Sequence, residues 1–310
     1  MDGLLLVDKP AGPTSHDVVE RVRRILRERR IGHTGTLDPD ATGLLPLVLG
    51  RATRLARFLS ASDKAYEAAI RLGVTTVTGD AGGESVGPPY AGPLPSRDAL
   101  DRALDGFRGT YPQRPPAFSA KRIAGERSYR IARRARSNPD GSALTVQAAA
   151  VNVTAHAIDL VAYESRTLTL RLDVSAGFYV RSLAHDLGQH LGTGAHLVTL
   201  RRTRAGAFTV DDAIPLAAAE QQPERAVAAI VPMAGMLANW SSVVLSAEGV
   251  RRALNGRDLG AADIQATSGG GNLARPFFGH VRLVDDAGEL IGIGEPANTP
   301  GLLHPSVVLR

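Results

Sequence analysis

The chain has 310 residues, no cysteine and a formal net charge of +5, with its 36 basic residues divided into 33 arginines and 3 lysines. Lack of cysteine excludes disulfides, a thiolate metal site and a thiol nucleophile. No apolar run reaches membrane length and the first ten residues read as a short strand rather than a leader, so a cytoplasmic protein without membrane contact is expected, large enough for one main domain and a small one.

Residues 4–8 read as the first strand. Thr14 and Asp17 have capping-box spacing at the start of a helix predicted over 15–30, apolar at Val18, Val19, Val22, Ile25 and Leu26. Its other face carries Arg21, Arg23, Arg24, Arg27, Arg29 and Arg30. Residues 32–46 follow, with three glycines, two prolines, one histidine and two carboxylates. Ordering such a loop costs entropy, which implies that it holds something in place. Asp38, between Leu37 and Pro39, is the candidate, although an Asp-Pro pair also fits a plain surface turn.

Further helices are predicted over 51–61, 97–106, 126–136 and 180–191, and strands over 66–74, 146–164 (read as two) and 166–174. In the last of these, Leu168, Leu170, Leu172 and Val174 alternate with Thr167, Thr169, Arg171 and Asp173, the pattern of an antiparallel sheet with one wet face. Residues 82–95 and the three-proline stretch 112–120 read as irregular. A second basic cluster comprises Lys121, Arg122, Arg127, Arg130, Arg133, Arg134 and Arg136, and a third Arg201, Arg202 and Arg204. Three such clusters beside aromatic or glycine-rich segments favour a polyanionic partner. Residues 239–310 carry six arginines against seven acids, a net of −1, so the remaining +6 lies in the first 238. Residues 281–293 have a hairpin signature and suggest a small β-rich appendage from about residue 241.

Six segments carry a resemblance: Lys9-Pro10-Ala11-Gly12-Pro13-Thr14-Ser15, the 32–46 loop, Asp63-Lys64-Ala65-Tyr66, Pro115-Pro116-Ala117-Phe118-Ser119-Ala120-Lys121, Ser175 through Leu183, and Gly192 through Arg202. In order and spacing over residues 3–210 the chain resembles the TruB family of bacterial tRNA pseudouridine-55 synthases. Beyond that, Leu245-Ser246-Ala247-Glu248 and the hairpin resemble, more weakly, a PUA-type RNA-binding barrel. Two departures stand out: Val77 where relatives place an acidic residue, and a glycine-rich insertion around 267–274.

The resemblance implies an α+β pseudouridine synthase fold with a mixed, largely antiparallel sheet, and a small C-terminal PUA-like β-barrel. It divides the chain into a catalytic domain, 1–238, with a basic insertion at about 107–140, and an appendage, 241–310. It implies a cytoplasmic enzyme, a monomer, that takes the T-arm stem-loop of tRNA and isomerises uridine 55. Asp38 matches the catalytic aspartate, Tyr66 the tyrosine stacking on the target base, and Arg181 the arginine paired with the aspartate. Tyr179 and Leu200 match pocket-lining residues, His33 a residue contacting the RNA loop, Lys9 a lysine at the pocket floor and Asp80 an acidic family position. Lys121, Arg122, Arg127, Arg130, Arg133, Arg134, Arg201 and Arg202 are candidates for the RNA backbone. No cofactor and no metal is expected.

The chemistry accounts for these residue types. Uridine must lose its N1–C1′ bond, turn over and rejoin through C5, with no electrons transferred, so a carboxylate acting as nucleophile or base suffices. Attack on the sugar, attack on the base and abstraction of a sugar proton all remain open. Arg181 is expected to keep Asp38 ionised and lower its pKa. Extruding the base costs about a few kcal/mol, and stacking on an aromatic ring returns roughly 1–3 kcal/mol.

Overall fold

The computed structural model describes residues 1–118, 122–123, 126–127, 131, 148–268 and 279–309. Its centre is a 10-stranded sheet. In chain order the strands are β1 (Gly3–Lys9), β2 (Ile31–His33), β3 (Thr42–Leu49), β4 (Lys64–Leu72), β5 (Gly109–Gln113), β6 (Val151–Glu164), β7 (Thr167–Val174), β8 (Ala195–Ala205), β9 (Phe208–Thr209) and β10 (Ile214–Pro215). They run β10-β1-β3-β8-β4-β7-β6-β5 across the sheet, with β2 also on β3 and β9 on β8. Only β1–β10 and β3–β8 are parallel, so the sheet is mixed and largely antiparallel, as expected.

One face of this sheet carries α1 (Ser15–Leu26), α3 (Arg97–Asp105) and α4 (Val180–His190), while α2 (Ala56–Ser60) lies behind. Side-chain alternation decides what each strand buries. Leu168, Leu170, Leu172 and Val174 of β7 and Tyr66, Ala68, Ile70 and Leu72 of β4 enter one core with the helices. In β3, however, Leu45, Leu47 and Leu49 join that core while Leu44 and Val48 enter a second one behind. The continuous apolar run from Leu44 to Leu49 therefore marks a strand covered on both faces.

The second core is shared with the C-terminal segment. There β11 (Ser242–Leu245), α7 (Ala247–Leu254), β12 (Ile264–Thr267), β13 (Val281–Val284), β14 (Leu290–Pro296) and β15 (Leu303–Val308) follow two short helices, α5 (Leu216–Gln221) and α6 (Pro223–Ala228). Val284, Leu290, Ile293 and Leu309 pack with Leu4, Leu44, Val48, Leu55 and Met236. The five strands are ordered β12-β11-β13-β14-β15 and, among the described residues, do not close into a barrel. β12 and β15 are its edges among these residues.

Local boundaries also differ from expectation. The first helix ends at Leu26, not residue 30, because Arg27 turns left-handed at φ 52° and starts the turn into β2. No glycine marks that stop. The predicted helix over 51–61 is a 3-10 stretch, Gly50–Leu55, followed by α2. The 146–164 segment forms one bulged strand from Val151, not two. A helix beginning at 126 is also corrected: Glu126 pairs with Ile123 and Arg127 with Arg122 as two short antiparallel strands. The backbone candidates Lys121, Arg130, Arg133 and Arg134 lie outside the described residues.

Candidate active site

The loop bearing Asp38 is fixed from below by the residues that precede and open α1. Thr14 caps the helix and exchanges bonds with Asp17, as the capping-box spacing predicts. Ser15, the first helical residue, is buried and bonds Leu37 twice: it accepts from the amide at 2.8 Å and donates to the carbonyl at 2.9 Å. The Gly12 amide donates to the Pro39 carbonyl at 2.9 Å. Lys9 is fully buried at the end of β1, and its ammonium donates to the carbonyls of Pro10, Pro39 and Ala41 at 3.0, 2.8 and 2.7 Å. Burial pushes that ammonium down to about 8, against the pull of Asp40 and Asp38. Lys9 lines neither cleft described below and lies beneath the loop that carries Asp38. Two of its three donors hold the turn after Asp38, and the third holds Pro10.

From the other side the loop is held by Arg202, which is 2% exposed. It donates to the Leu44 carbonyl at 2.7 Å and the Gly35 carbonyl at 3.0 Å. Strand β3 passes so close that a Cβ on Gly43, itself at φ +98°, would lie 2.3 Å from the Arg202 carbonyl. A side chain so enclosed is a loop anchor, and it also lines the first cleft described below. Its neighbour Arg201 directs both fork nitrogens to Asp8, at 3.0 and 2.8 Å.

Arg181 enters from the first turn of α4. Its Nε stands 3.0 Å from Asp38 Oδ2, and its Nη1 3.7 Å from Asp80 Oδ2. The remaining donors reach the Thr78 carbonyl at 3.1 Å and the Phe118 carbonyl at 2.8 Å. Asp80 is oriented in turn by the Thr78 hydroxyl at 2.6 Å. The start of α4 is clamped by Gln113 of β5, whose amide accepts from Tyr179 N at 2.8 Å and donates to Tyr179 O at 3.1 Å. These bonds fix the guanidinium as rigidly as the loop opposite it.

Asp38 is raised above its ordinary value. Burial is the main cause and Asp80 adds to it, while Arg181 and Lys9 pull the other way. The direction expected from the arginine alone is therefore reversed: crowding by protein outweighs the pairing. The carboxyl is 42% exposed, and it opens onto both clefts.

The first cleft has a volume of about 410 Å³ and brings together His33, Asp38, Tyr66, Tyr179, Arg181, Leu200 and Arg202, seven of the residues named from the sequence. A second, of about 990 Å³, shares His33, Asp38, Arg181 and Leu200 and adds Asp80 and Phe118. Residues from six separate stretches thus meet at the two clefts that share this carboxylate. Sequence reasoning gave no role to Phe178, Lys64 and Ser175 in the wall of the first cleft, although all three lay within quoted motifs. It also missed Gln113, for which a lone glutamine in a proline-rich stretch gave no signal.

The fold with this cleft defines the class, that of pseudouridine synthases. The chain superposes over 99% of its length, at TM-score 0.71 and 28% identity, on 84% of a chain from a structure described as a Cbf5-Nop10-Gar1 complex. A structure of an H/ACA RNP bound to a substrate RNA containing 2′-deoxyuridine matches equally well, at TM-score 0.71 and 26% identity over 99% of this chain and 85% of that one. Within that class the chain belongs to the TruB family: the family's pseudouridylate synthase N-terminal domain matches residues 23–180, and the tRNA pseudouridylate synthase B C-terminal domain residues 181–234. The tRNA pseudouridine synthase B of Solibacter usitatus (strain Ellin6076) is 42% identical over all of both chains. That of Pseudomonas paraeruginosa (strain DSM 24068 / PA7) is 38% identical over 100% of this chain and 96% of its own. This protein is a pseudouridine synthase.

Proposed function

We propose that the enzyme isomerises uridine 55 in the T-loop of tRNA, with Asp38 as the acting carboxylate and the uridine flipped into the 410 Å³ cleft. The observation that carries this reading is the 3.0 Å pairing of Arg181 with Asp38 at a cleft walled by Tyr66, Phe178, Tyr179 and Leu200. Tyr66 offers a face for the flipped ring, which offsets the cost of leaving the stack. Asp38 acts on the nucleotide as nucleophile or base while the N1–C1′ bond breaks. The ring turns within the cleft, the C5–C1′ bond forms, and the C5 proton is given up as N1 gains one. Arg181 aims the carboxylate and favours its ionised form against burial. His33, at the wall common to both clefts, is suited to the RNA loop from which the base is drawn.

The proposal extends to residues 1–238 as the catalytic unit, with the basic insertion at about 107–140 contacting the tRNA backbone, and 241–310 as a PUA-like RNA-facing appendage. It takes the enzyme to act as a monomer in the cytoplasm. Asp38→Asn tests the core of the reading: the amide keeps the shape but is neither nucleophile nor base. Tritium release from C5 of uridine in an unmodified tRNA transcript should be lost, with tRNA binding nearly unchanged. Normal release by Asp38→Asn would move the chemistry to another residue. Binding without release by the unaltered protein would make it an RNA-folding factor instead.

A further inference from the structure

The charges around the cleft are unevenly balanced. Arg181 faces Asp38 and Asp80. Lys64 and Arg202 also line the wall, 7% and 2% exposed, and neither has a carboxylate within 4.0 Å among the described residues. They are neighbours across the β4–β8 pair, where Arg202 lies opposite Tyr66 and Ala205 opposite Lys64. Their recorded partners are backbone carbonyls alone: Ser60 and Ser62 for Lys64, Leu44 and Gly35 for Arg202. Nearby acids are engaged elsewhere, Asp63 with His156 at 3.3 Å and Asp173 with Arg204 at 2.6 Å. Burial and the charge of Arg202 hold the Lys64 ammonium down to about 8, with Asp63 opposing.

Enclosed charges are ordinarily paired, because the cost of removing them from water is met only by an opposite charge and hydrogen bonds. Two like charges side by side at a cleft wall lack that counter-charge in the protein itself. A nucleotide within an RNA strand brings one, since each of its linkages is a phosphodiester. Carbonyls occupy two of the three ammonium donors of Lys64 and leave one for the ligand.

We propose that Lys64, backed by Arg202, forms an anion subsite of the cleft that takes a phosphodiester adjoining the flipped uridine. Asp38 then meets the sugar and base while Lys64 fixes the strand. The inference rests on the assignment of this cleft to the target uridine.

The test pairs Lys64→Gln with RNA stem-loops in which one phosphate, either 5′ or 3′ of the target uridine, is replaced by a neutral methylphosphonate. With the unaltered protein, one of the two neutral linkages should weaken binding about tenfold, as loss of a charge-assisted bond does. Lys64→Gln should show the same loss on the natural stem-loop and no further loss on that neutral one, whereas Lys64→Arg should retain the binding. Losses that multiply at both positions, or no loss at either neutral linkage with the unaltered protein, would overturn the subsite. The second result needs no variant, so it stands even if Lys64→Gln misfolds. Tritium release from the natural stem-loop separates the two readings. Release with multiplying losses refutes the subsite alone, and no release refutes the assignment of the cleft.

Discussion

Asp38 lies between opposing influences, burial and Asp80 raising its pKa and Arg181 and Lys9 lowering it. If the ionised carboxylate is the active form, activity is lost as pH falls through the folded-state value, and the raised value moves that acidic limb upward. The limb in kcat/KM should therefore lie above the ordinary aspartate value of 3.8. Asp80→Asn removes a like charge and frees Arg181 for Asp38, so it should shift the limb down. A limb at or below the ordinary value in the unaltered enzyme would contradict the dominance of burial. Arg181→Lys tests geometry rather than charge. Lysine has no planar fork to span Asp38, Asp80 and two carbonyls at once. Single-turnover rates should drop by about 100-fold with little change in tRNA affinity, and a near-normal rate would remove the alignment role.

At the scale of elements, catalytic geometry depends on how closely β3 and β8 approach and on the grip of α1 on the loop. Gly43→Ala would force a Cβ against the Arg202 carbonyl at φ +98°. The backbone conformation alone should cost about 1–3 kcal/mol, read in denaturant unfolding, and Arg202 would lose its purchase on Gly35. Ser15→Ala leaves the Leu37 amide and carbonyl without their buried partner. A destabilisation of roughly 1–3 kcal/mol follows, together with a lower rate because Leu37 adjoins Asp38. Unchanged stability with a lowered rate would mean that water replaces the hydroxyl.

For the whole molecule, the second core decides how independent the C-terminal sheet is. Val284, Leu290, Ile293 and Leu309 close over Leu44, Val48 and Leu55 on the back of β3. Deleting residues 241–310 would expose that apolar face, so a marked fall in Tm and a tendency to associate are expected alongside any change in affinity. An unaltered Tm would show that the catalytic unit stands alone. Charge distribution gives a separate expectation. Affinity for tRNA should fall steeply with salt, and replacing Arg127, Arg130, Arg133 and Arg134 together should reduce the slope of log affinity against log salt by about 3. An unchanged slope would demote that cluster to an ordinary solvated surface.

The sequence by itself determined the candidate site residues and their local settings. Resemblance to the TruB motifs named Asp38, Tyr66 and Arg181, while alternation defined β7 and capping spacing set the start of α1, the last two being short-range patterns that backbone geometry imposes directly. Tertiary structure decided which of the charged residues face a ligand. Lys9, matched to the pocket floor, is enclosed with its donors on backbone carbonyls, while Arg202 and Lys64, enclosed in the same way, line the cleft, and Lys64 was quoted in a motif without being given a role. It also decided the sign of the Asp38 shift, because desolvation depends on everything packed around the carboxyl and pairing on one neighbour. Burial and charge balance arise from residues as distant as Lys9 and Arg202, and no local pattern in the chain encodes them.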